Sequence, residues 1–333
     1  MTARRADDML ICVYEDRVKQ LPGLMLLVHS LSIHCPRSPI RLRFPALPPR
    51  ERAWLRSYPN VVLVDEPLDG AGSYNVKAAV LLDGLATGAG TCLWLDTDIL
   101  VNGSLDFIAA TPEDVVVTTE DPWCVPAGSS LRCSSFGLMP GRQLAGPLNS
   151  AVLKVGDGHE ALLRRWATQL KDPHYLAEQA KSVFVRNPLM LGDQDVLSAL
   201  LASKDFAHIP LHVLKHPTDV LHHHGPGAFG PRQRMAVRKS GLPPLIHAMG
   251  GVKPWAMSDR PSSFREYYER MYLETSPYVT LARRYAAVLE TRPHWLDVQL
   301  PLSRLSLRVN SNNAIYSGMV LAAIHRLRHK VFG

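Results

Sequence analysis

The chain has 333 residues, of which 46% are apolar and 20% charged, a composition typical of globular and not of disordered proteins. Its net charge of +7 suits anionic partners, but the sequence shows no RNP pattern, zinc-finger spacing or dense basic helix, so nucleic acid is not expected among them. The five cysteines lack Cys-x-x-Cys spacing and no apolar leader is recognisable, so we expect a reduced, cytoplasmic protein.

Strand-length apolar runs alternate with helix-length segments in the first part of the chain. In order, we predict a strand at 9–14, a helix at 21–33, a strand at 39–44, a helix at 48–58, a strand at 61–64, a helix at 73–85 and a strand at 91–95. This alternation predicts a parallel, doubly wound α/β sheet.

The second part of the chain is less regular. Strands are predicted at 114–118 and 150–155, helices at 158–170, 193–202, 265–272 and 280–289, and an apolar tail with basic residues near its end at 314–332. The Gly/Pro-rich segments 120–146 and 220–239 are predicted as loops. His222, His223 and His224 fall in the second loop, which we interpret either as an acceptor-side lid or as a solvent loop. Because the character of the sequence changes after Trp255, we predict a domain at 1–255 and a helical, basic extension at 256–333.

Two carboxylates follow the buried strand at 91–95, Asp96 and Asp98, separated by one residue. Burying an unpaired ionised carboxylate beside a hydrophobic core costs roughly several kcal/mol of folding free energy, and a bound divalent cation removes that cost. Open α/β sheets bind their ligands at the carboxyl ends of strands. The pair therefore predicts a Mg²⁺ or Mn²⁺ site.

Five motifs occur in one order along the chain. They are Pro22-Gly23 with Ser30-Leu31, Lys77, Leu93-Trp94-Leu95-Asp96-Thr97-Asp98, Asn149-Ser150 with Gly192-Asp193-Gln194-Asp195, and the run from His247 to Trp255. Together they resemble the GT-A glycosyltransferases of family 8, the group of glycogenin and the bacterial lipooligosaccharide galactosyltransferases. The resemblance extends over residues 9–255.

The resemblance implies a GT-A fold, a Rossmann-like and mostly parallel sheet flanked by helices, with a helical C-terminal extension. It implies a metal-dependent, retaining transfer of a hexose from a nucleotide diphosphate sugar, UDP being the expected nucleotide, to a hydroxyl of a carbohydrate, lipid-linked or small-molecule acceptor. An imidazole ligand favours Mn²⁺, with Mg²⁺ as the alternative. The basic C-terminus would contact an anionic membrane surface peripherally, or else form a packed helix with an exposed basic face.

The resemblance also assigns roles to residues. The metal ligands would be Asp96, Asp98 and His247; the phosphate contacts Lys77, Lys253 and the backbone of Gly250 and Gly251; the sugar contacts Asn149, Ser150 and Asp193; and the catalytic candidates Gln194, as a stabiliser of the oxocarbenium ion, and Asp195, as the alternative nucleophile. Tyr14 is a candidate partner of the nucleobase, because Gln20 stands where the family often has a tyrosine. Ala151 also replaces a glycine that is common in the family. Because of these two departures, at Gln20 and Ala151, the preference for UDP stays open.

Each assignment has a structural alternative. Asp193 fits a helix cap, His247 a core histidine, Lys77 a solvated helix residue and Trp255 simple packing. Two rival functions also remain. A nucleotidylyltransferase would share the sheet and the metal, but residues 15–19 lack the glycines of its phosphate loop; a catalytically silent sugar-nucleotide binding or scaffold protein would bind donor without cleaving it.

Overall fold

The structure is a computed structural model that describes residues 5–70, 72–124, 128–223, 228–250, 252–257, 261–289 and 293–332. The strands are β1 Leu10–Tyr14, β2 Ile40–Arg43, β3 Val61–Val64, β4 Thr91–Leu95, β5 Ile99–Val101, β6 Val116–Glu120, β7 Leu148–Gly156, β8 Leu211–Leu214, β9 Val220–His222 and β10 Leu245–His247. The helices are α1 Leu21–His34, α2 Pro49–Arg56, α3 Lys77–Leu85, α4 Asp106–Ala109, α5 Ser129–Ser135, α6 Glu160–Gln169, α7 Pro173–Gln179, α8 Asp193–Ala202, α9 Pro231–Ala236, α10 Phe264–Glu274, α11 Pro277–Ala282, α12 Pro301–Val309 and α13 Met319–Phe332.

The chain forms two compact units, and the first contains a seven-stranded sheet. This unit comprises Met1–Val18, Cys35–Asp96 and Leu105–Leu214. Its strand order is β3-β2-β1-β4-β7-β6-β8, in which β7 runs antiparallel to β4 and β6 while the other neighbours are parallel. Helix α3 packs on β1 and β4, and α8 packs on β7. The unit is therefore a mixed, mostly parallel sheet flanked by helices.

Strand β4 brings the acidic motif to the edge of the first unit's core. All five of its residues are buried, and Trp94 packs with the apolar side chains of α3, α6 and α8. The backbone N–H of Asp96 still donates to the carbonyl of Ala151 in β7, at 2.9 Å. Asp96 thus stands immediately beyond the last paired residue of a fully buried strand, as the sequence predicted.

The second unit comprises Lys19–His34, Thr97–Ser104 and Lys215–Gly333. It contains a three-stranded sheet of order β5-β10-β9, with β10 parallel to β9 and antiparallel to β5. Helix α1 is fastened to β5 because the Ser30 hydroxyl accepts the Val101 N–H at 3.0 Å and donates to the Leu27 carbonyl. Trp295 and Tyr278 lie in the hydrophobic core of this unit, together with other apolar side chains of α11.

Most predicted elements before residue 118 are confirmed with small shifts at their ends, but several predictions beyond that point are wrong. The predicted loop at 220–239 contains β9 and α9, and the segment 120–146 contains α5. A three-residue strand has no measurable alternation, and a six-residue helix shows no periodic stripe, so neither gives a pattern to detect. The predicted helix at 280–289 is helical only to Ala282 and continues as a 3₁₀ helix.

Segments from the N-terminal half of the chain supply α1 and β5 to the second unit. The division into domains at residue 255 stays a prediction. Within the residues that the structure describes, none of the helices combines the length and the apolar character that crossing a membrane requires.

Candidate active site

In the first unit, Lys77 joins several of the predicted donor-binding residues. Its Nζ lies 3.0 Å from an Asp96 carboxylate oxygen, 2.8 Å from the Ser150 hydroxyl and 3.4 Å from Asp193 Oδ2. The Ser150 hydroxyl in turn donates to Asp193 Oδ2 at 2.7 Å. The Trp94 indole N–H also donates to Asp96, at 2.7 Å. The tertiary structure therefore gathers residues from α3, β4, β7 and α8 into one charged cluster.

Burial strengthens the electrostatic interactions between the charged groups of this cluster. Lys77 is only 5% exposed, so the interpretation as a solvated helix residue is wrong. Burial by itself lowers the pKa of Lys77, but the carboxylates of Asp193 and Asp96 outweigh it and raise that pKa above its ordinary value. Burial raises the pKa of Asp193, and Lys77 and Ser150 act against that rise. The cluster holds one buried cation between two carboxylates.

Gln194 is oriented by two polar side chains of the same unit. Its Nε2 donates to Asp121 Oδ2 at 2.7 Å, and its Oε1 accepts from Asn149 Nδ2 at 3.0 Å. Asp121 is itself fixed, because Oδ1 accepts the backbone N–H groups of Trp123 and Cys124. The two ends of the Gln194 amide are therefore distinguished, and its oxygen is turned towards Asn149.

Asp195 has structural partners on both carboxylate oxygens. Oδ2 accepts the N–H groups of Leu191 (2.7 Å) and Gly192 (3.1 Å) at the start of α8, and Oδ1 pairs with Arg132. Burial raises the pKa of Asp195 and Arg132 opposes the rise. Asp195, not Asp193, thus supplies the cap of α8, which corrects the structural alternative for Asp193.

Tyr14 lies at the end of β1, as predicted, and its hydroxyl donates to Asp16 Oδ2 at 3.2 Å. Burial, with Asp16 adding to its effect, raises the pKa of Tyr14 to about 12. The ring is 6% exposed and packs in the core of the first unit. Its expected contact with a nucleobase stays a prediction.

In the second unit, Asp98 is held between two cationic or ionisable side chains. His247 Nε2 lies 3.3 Å from Asp98 Oδ1, and the Lys253 ammonium pairs with Oδ2. Burial of Asp98 acts to raise its pKa, yet Lys253 and His247 outweigh it and hold that pKa well below its ordinary range. Asp98 is therefore an ionised carboxylate that is 7% exposed, an arrangement that already accommodates a cation against it.

Hydrogen bonds with the backbone of the segment after β10 position Lys253 beside Asp98. Lys253 Nζ also donates to the Ala248 carbonyl at 2.9 Å, and the Ala248 N–H donates to the Asp98 carbonyl. Gly250 has φ of 128°, a conformation that side chains disfavour. Gly251, the other predicted phosphate contact, lies outside the described residues, as does His224.

Two of the five motifs pack against each other within the second unit. A Cβ on Gly23 would lie 2.5 Å from Trp255 Cη2 and 2.8 Å from the Thr97 carbonyl oxygen, so only glycine fits. The Trp255 indole donates to Gln20 Oε1 at 3.0 Å. Gly23 and Trp255 are therefore explained by packing. Gln20, which stands where the family often has a tyrosine, forms a hydrogen bond with Trp255.

The prediction that His222 lies in a loop is wrong, and neither His222 nor His223 is a solvent-exposed residue. His222 ends β9 and is fully buried, and His223 is 4% exposed with its ring stacked on Tyr272. Val-Leu-His pairs with β10 in parallel, so hydrogen bonding to a neighbouring strand, rather than local periodicity, makes this segment a strand.

Solved structures of similar fold are glycosyltransferases. The apo structure of the bifunctional glycosyltransferase WbbM matches with a TM-score of 0.50 and 13% identity over 77% of this chain and 47% of that chain, so this chain spans about half the length of WbbM. The chain has the GT-A fold. Galactosyltransferase LgtC in complex with donor and acceptor sugar analogues aligns at a TM-score of 0.47 (17% identity, 74% of this chain, 89% of that chain). GlyE of Streptococcus pneumoniae TIGR4 aligns at 0.46 (16% identity, 90% and 67%). No protein-family model and no curated relative matches the sequence.

Three residues have contacts in these sites that the sequence did not indicate. Asp121, the residue that orients Gln194, directly follows β6, and an acidic residue at a strand end was the available signal. Trp94 contacts Asp96 from within the acidic motif itself. The sequence singled out His222 only as part of the predicted loop at 220–239, because its strand is too short to recognise, and nothing local pointed to its contact with His247.

Proposed function

We propose that this protein is a metal-dependent, retaining glycosyltransferase that moves a hexose from a nucleotide diphosphate sugar, with UDP as the expected nucleotide, to a hydroxyl acceptor. One observation carries the proposal. Both aspartates of the Asp-x-Asp motif are held by a lysine of their own unit, Asp96 by Lys77 and Asp98 by Lys253, with His247 facing Asp98. Such an arrangement of carboxylates and lysine ammonium groups suits a ligand that is itself a metal-bound diphosphate.

The donor set of the second unit fits a divalent cation. Asp98 is ionised, and an imidazole nitrogen and an ammonium lie against its two oxygens. We propose Asp98 and His247 as ligands, with Asp96, two residues earlier in the chain, completing the predicted set. Imidazole among carboxylates favours Mn²⁺, and Mg²⁺ is the alternative. When bound, the ion would neutralise the charge that develops on the departing nucleoside diphosphate.

The chain's own residues would do the remaining work. Lys253 would exchange its ion pair with Asp98 for contacts with the donor phosphates. The backbone of Gly250 could approach the phosphates closely because glycine has no side chain. Asn149, Ser150 and Asp193 bind and orient the sugar hydroxyls, since each presents a polar group already ordered by Lys77 or Gln194. Ordered groups lose little entropy when they bind the substrate.

Gln194 is the proposed stabiliser at the anomeric carbon. Asp121 holds its NH₂ group, which directs the amide oxygen to one side, where it would stabilise positive charge that develops on the sugar. Asp195, the alternative nucleophile, is occupied by Arg132 and two backbone N–H groups. A carboxylate with three donors is a weak nucleophile, which favours Gln194 over Asp195.

The test combines donor binding with donor cleavage. Thermal melts with UDP, GDP, ADP and CDP sugars, with and without Mn²⁺, should show a response to one base that requires the metal, worth about 2.7 kcal/mol at a hundredfold excess over Kd. Asp96→Asn with Asp98→Asn should abolish hydrolysis and transfer, whereas the exposed Asp205→Asn should leave both intact. Hydrolysis that survives the double change refutes the metal assignment.

Other outcomes identify the rival functions. Donor binding with no cleavage, even over long incubation, would indicate a silent binding or scaffold protein. Formation of nucleotide sugar from nucleoside triphosphate and sugar phosphate would indicate a nucleotidylyltransferase. A panel without any response would refute the sugar-nucleotide proposal as a whole.

Peripheral membrane contact is part of the proposal and draws on the C-terminal helices. Leu302, Leu305 and Val309 are exposed on one side of α12, next to the exposed Arg304 and Arg308. Apolar side chains flanked by arginines suit an anionic bilayer surface and a lipid-linked acceptor. Sedimentation with phosphatidylglycerol vesicles should carry the protein down, and phosphatidylcholine vesicles should not; equal behaviour would contradict the contact. The expected cytoplasmic location stays a prediction.

A further inference from the structure

The imidazole of His222 faces that of His247 in the second unit. The two residues are paired in register on the neighbouring parallel strands β9 and β10, so their side chains project from the same face of the sheet. Their Nδ1 atoms lie 2.9 Å apart, and the ring planes meet at 72°. His222 is fully buried and His247 is 4% exposed. This is a direct imidazole–imidazole hydrogen bond within a protein interior.

The direction of this hydrogen bond depends on whether Nε2, the other ring nitrogen of His247, carries a proton. His247 Nε2 points at Asp98 Oδ1, at 3.3 Å. A neutral imidazole carries one proton, and a nitrogen that binds a metal must offer its lone pair. With a metal on Nε2, the His247 proton has to lie on Nδ1, and the atom placed to accept it is Nδ1 of His222.

We propose that His222 is a positioning residue, which fixes the tautomer and ring orientation of His247 for metal binding through Nε2. This inference rests on the proposed function, since it concerns the same metal. Histidine ligands generally donate their second N–H to a fixed acceptor, and loss of that acceptor typically weakens metal binding by about 10–100-fold. A neutral imidazole acceptor also avoids placing another buried carboxylate close to Asp98.

His222 is itself held in place by His216. The His222 backbone N–H donates to His216 Nδ1 at 3.2 Å, and His216 Nε2 donates to the Ala228 carbonyl at 2.9 Å. The two rings also stack, with 6.2 Å between centroids. The tautomer of His216 follows from these contacts, because a nitrogen that faces a carbonyl must carry the proton. The strand end that presents His222 is thus ordered before any metal binds.

Three variants of the full chain test the inference. His222→Phe removes the acceptor and keeps a buried ring, while His222→Asn retains an acceptor oxygen near the position of Nδ1. His223→Phe is the matched control, because this neighbouring buried ring contacts Tyr272. The measurement is Mn²⁺ affinity, read from the electron paramagnetic resonance signal of free Mn²⁺, with and without UDP.

We expect His222→Phe to raise the Kd for Mn²⁺ by about 10–100-fold, and the other two variants to change it by less than about threefold. An unchanged Kd for His222→Phe, or an equal loss for His223→Phe, would overturn the inference while leaving the proposed function intact. Wild-type protein that binds no Mn²⁺ would overturn both.

A second measurement uses the wild-type protein, so that the inference can be tested even if His222→Phe does not fold. Ring-¹⁵N histidine in the wild-type protein, with Zn²⁺ as a diamagnetic probe, reports the His247 tautomer by long-range ¹H–¹⁵N correlation. The expected state has the proton on Nδ1 and the metal on Nε2. Metal on Nδ1, or a proton retained on Nε2, contradicts the inference.

Discussion

Replacing Arg132 by methionine should destabilise the first unit by leaving the Asp195 carboxylate buried without a counter-charge. The Arg132 and Asp195 side chains are 3% and 1% exposed. Removing one partner of a buried ion pair costs about 3–5 kcal/mol. Because the N–H groups of Leu191 and Gly192 continue to donate to the carboxylate, we expect the lower end, about 3 kcal/mol. For a unit of this size that corresponds to a fall in Tm of roughly 10 °C.

The assay is thermal and urea unfolding at pH 7.5 and pH 5. Burial raises the pKa of Asp195, and loss of Arg132 removes the cation that opposes the rise. A group with a raised pKa takes up its proton in the folded state first, so acidification increases stability. The deficit of Arg132→Met relative to wild type should therefore shrink at pH 5.

Two further variants make this prediction specific. Arg132→Met with Asp195→Asn removes the buried charge and should recover most of the loss, whereas Arg164→Met, in an exposed helix pair with Glu160, should change stability by less than about 1 kcal/mol. If Arg132→Met melts within about 2 °C of wild type, or if its deficit does not depend on pH, the reasoning about Asp195 is wrong.

Three more predictions concern single residues. Gln194→Ala should lower kcat for transfer by roughly 100-fold with little change in the KM for donor, as measured by initial rates; an unchanged kcat would exclude it as the stabiliser. Gly23→Ala should lower stability by about 1–3 kcal/mol because its Cβ meets Trp255 and a backbone oxygen, whereas Gly158→Ala, which meets nothing within 4 Å, should melt like wild type. Because the pKa of Asp98 is depressed, its charge contributes fully to stability above about pH 4, and this contribution declines progressively as the pH falls further towards the folded-state pKa; the gap between the urea midpoints of wild type and Asp98→Asn should therefore begin to narrow below about pH 4, and a constant gap would contradict the ion pair.

Local sequence patterns were enough to predict the alternating strands and helices before residue 118 and the position of Asp96 at a strand end. These depend on local period, strand length and turn residues, which short windows of sequence contain. The resemblance of the five motifs also led to the GT-A fold. It did not determine the role of each acidic residue, because Asp193 and Asp195 look alike as sequence.

The partner of each buried polar side chain could be known from the tertiary structure alone. Lys77 meets Asp193, Arg132 meets Asp195, and His222 meets His247 across segments distant in the chain. These pairs depend on how α3 and α8 pack on the sheet, how α5 packs on α8 and how the three-residue strand β9 pairs with β10, and local periodicity encodes none of these. A buried charge or hydrogen-bonding group is costly without a partner, so the partner that the fold places beside each of these side chains sets its role.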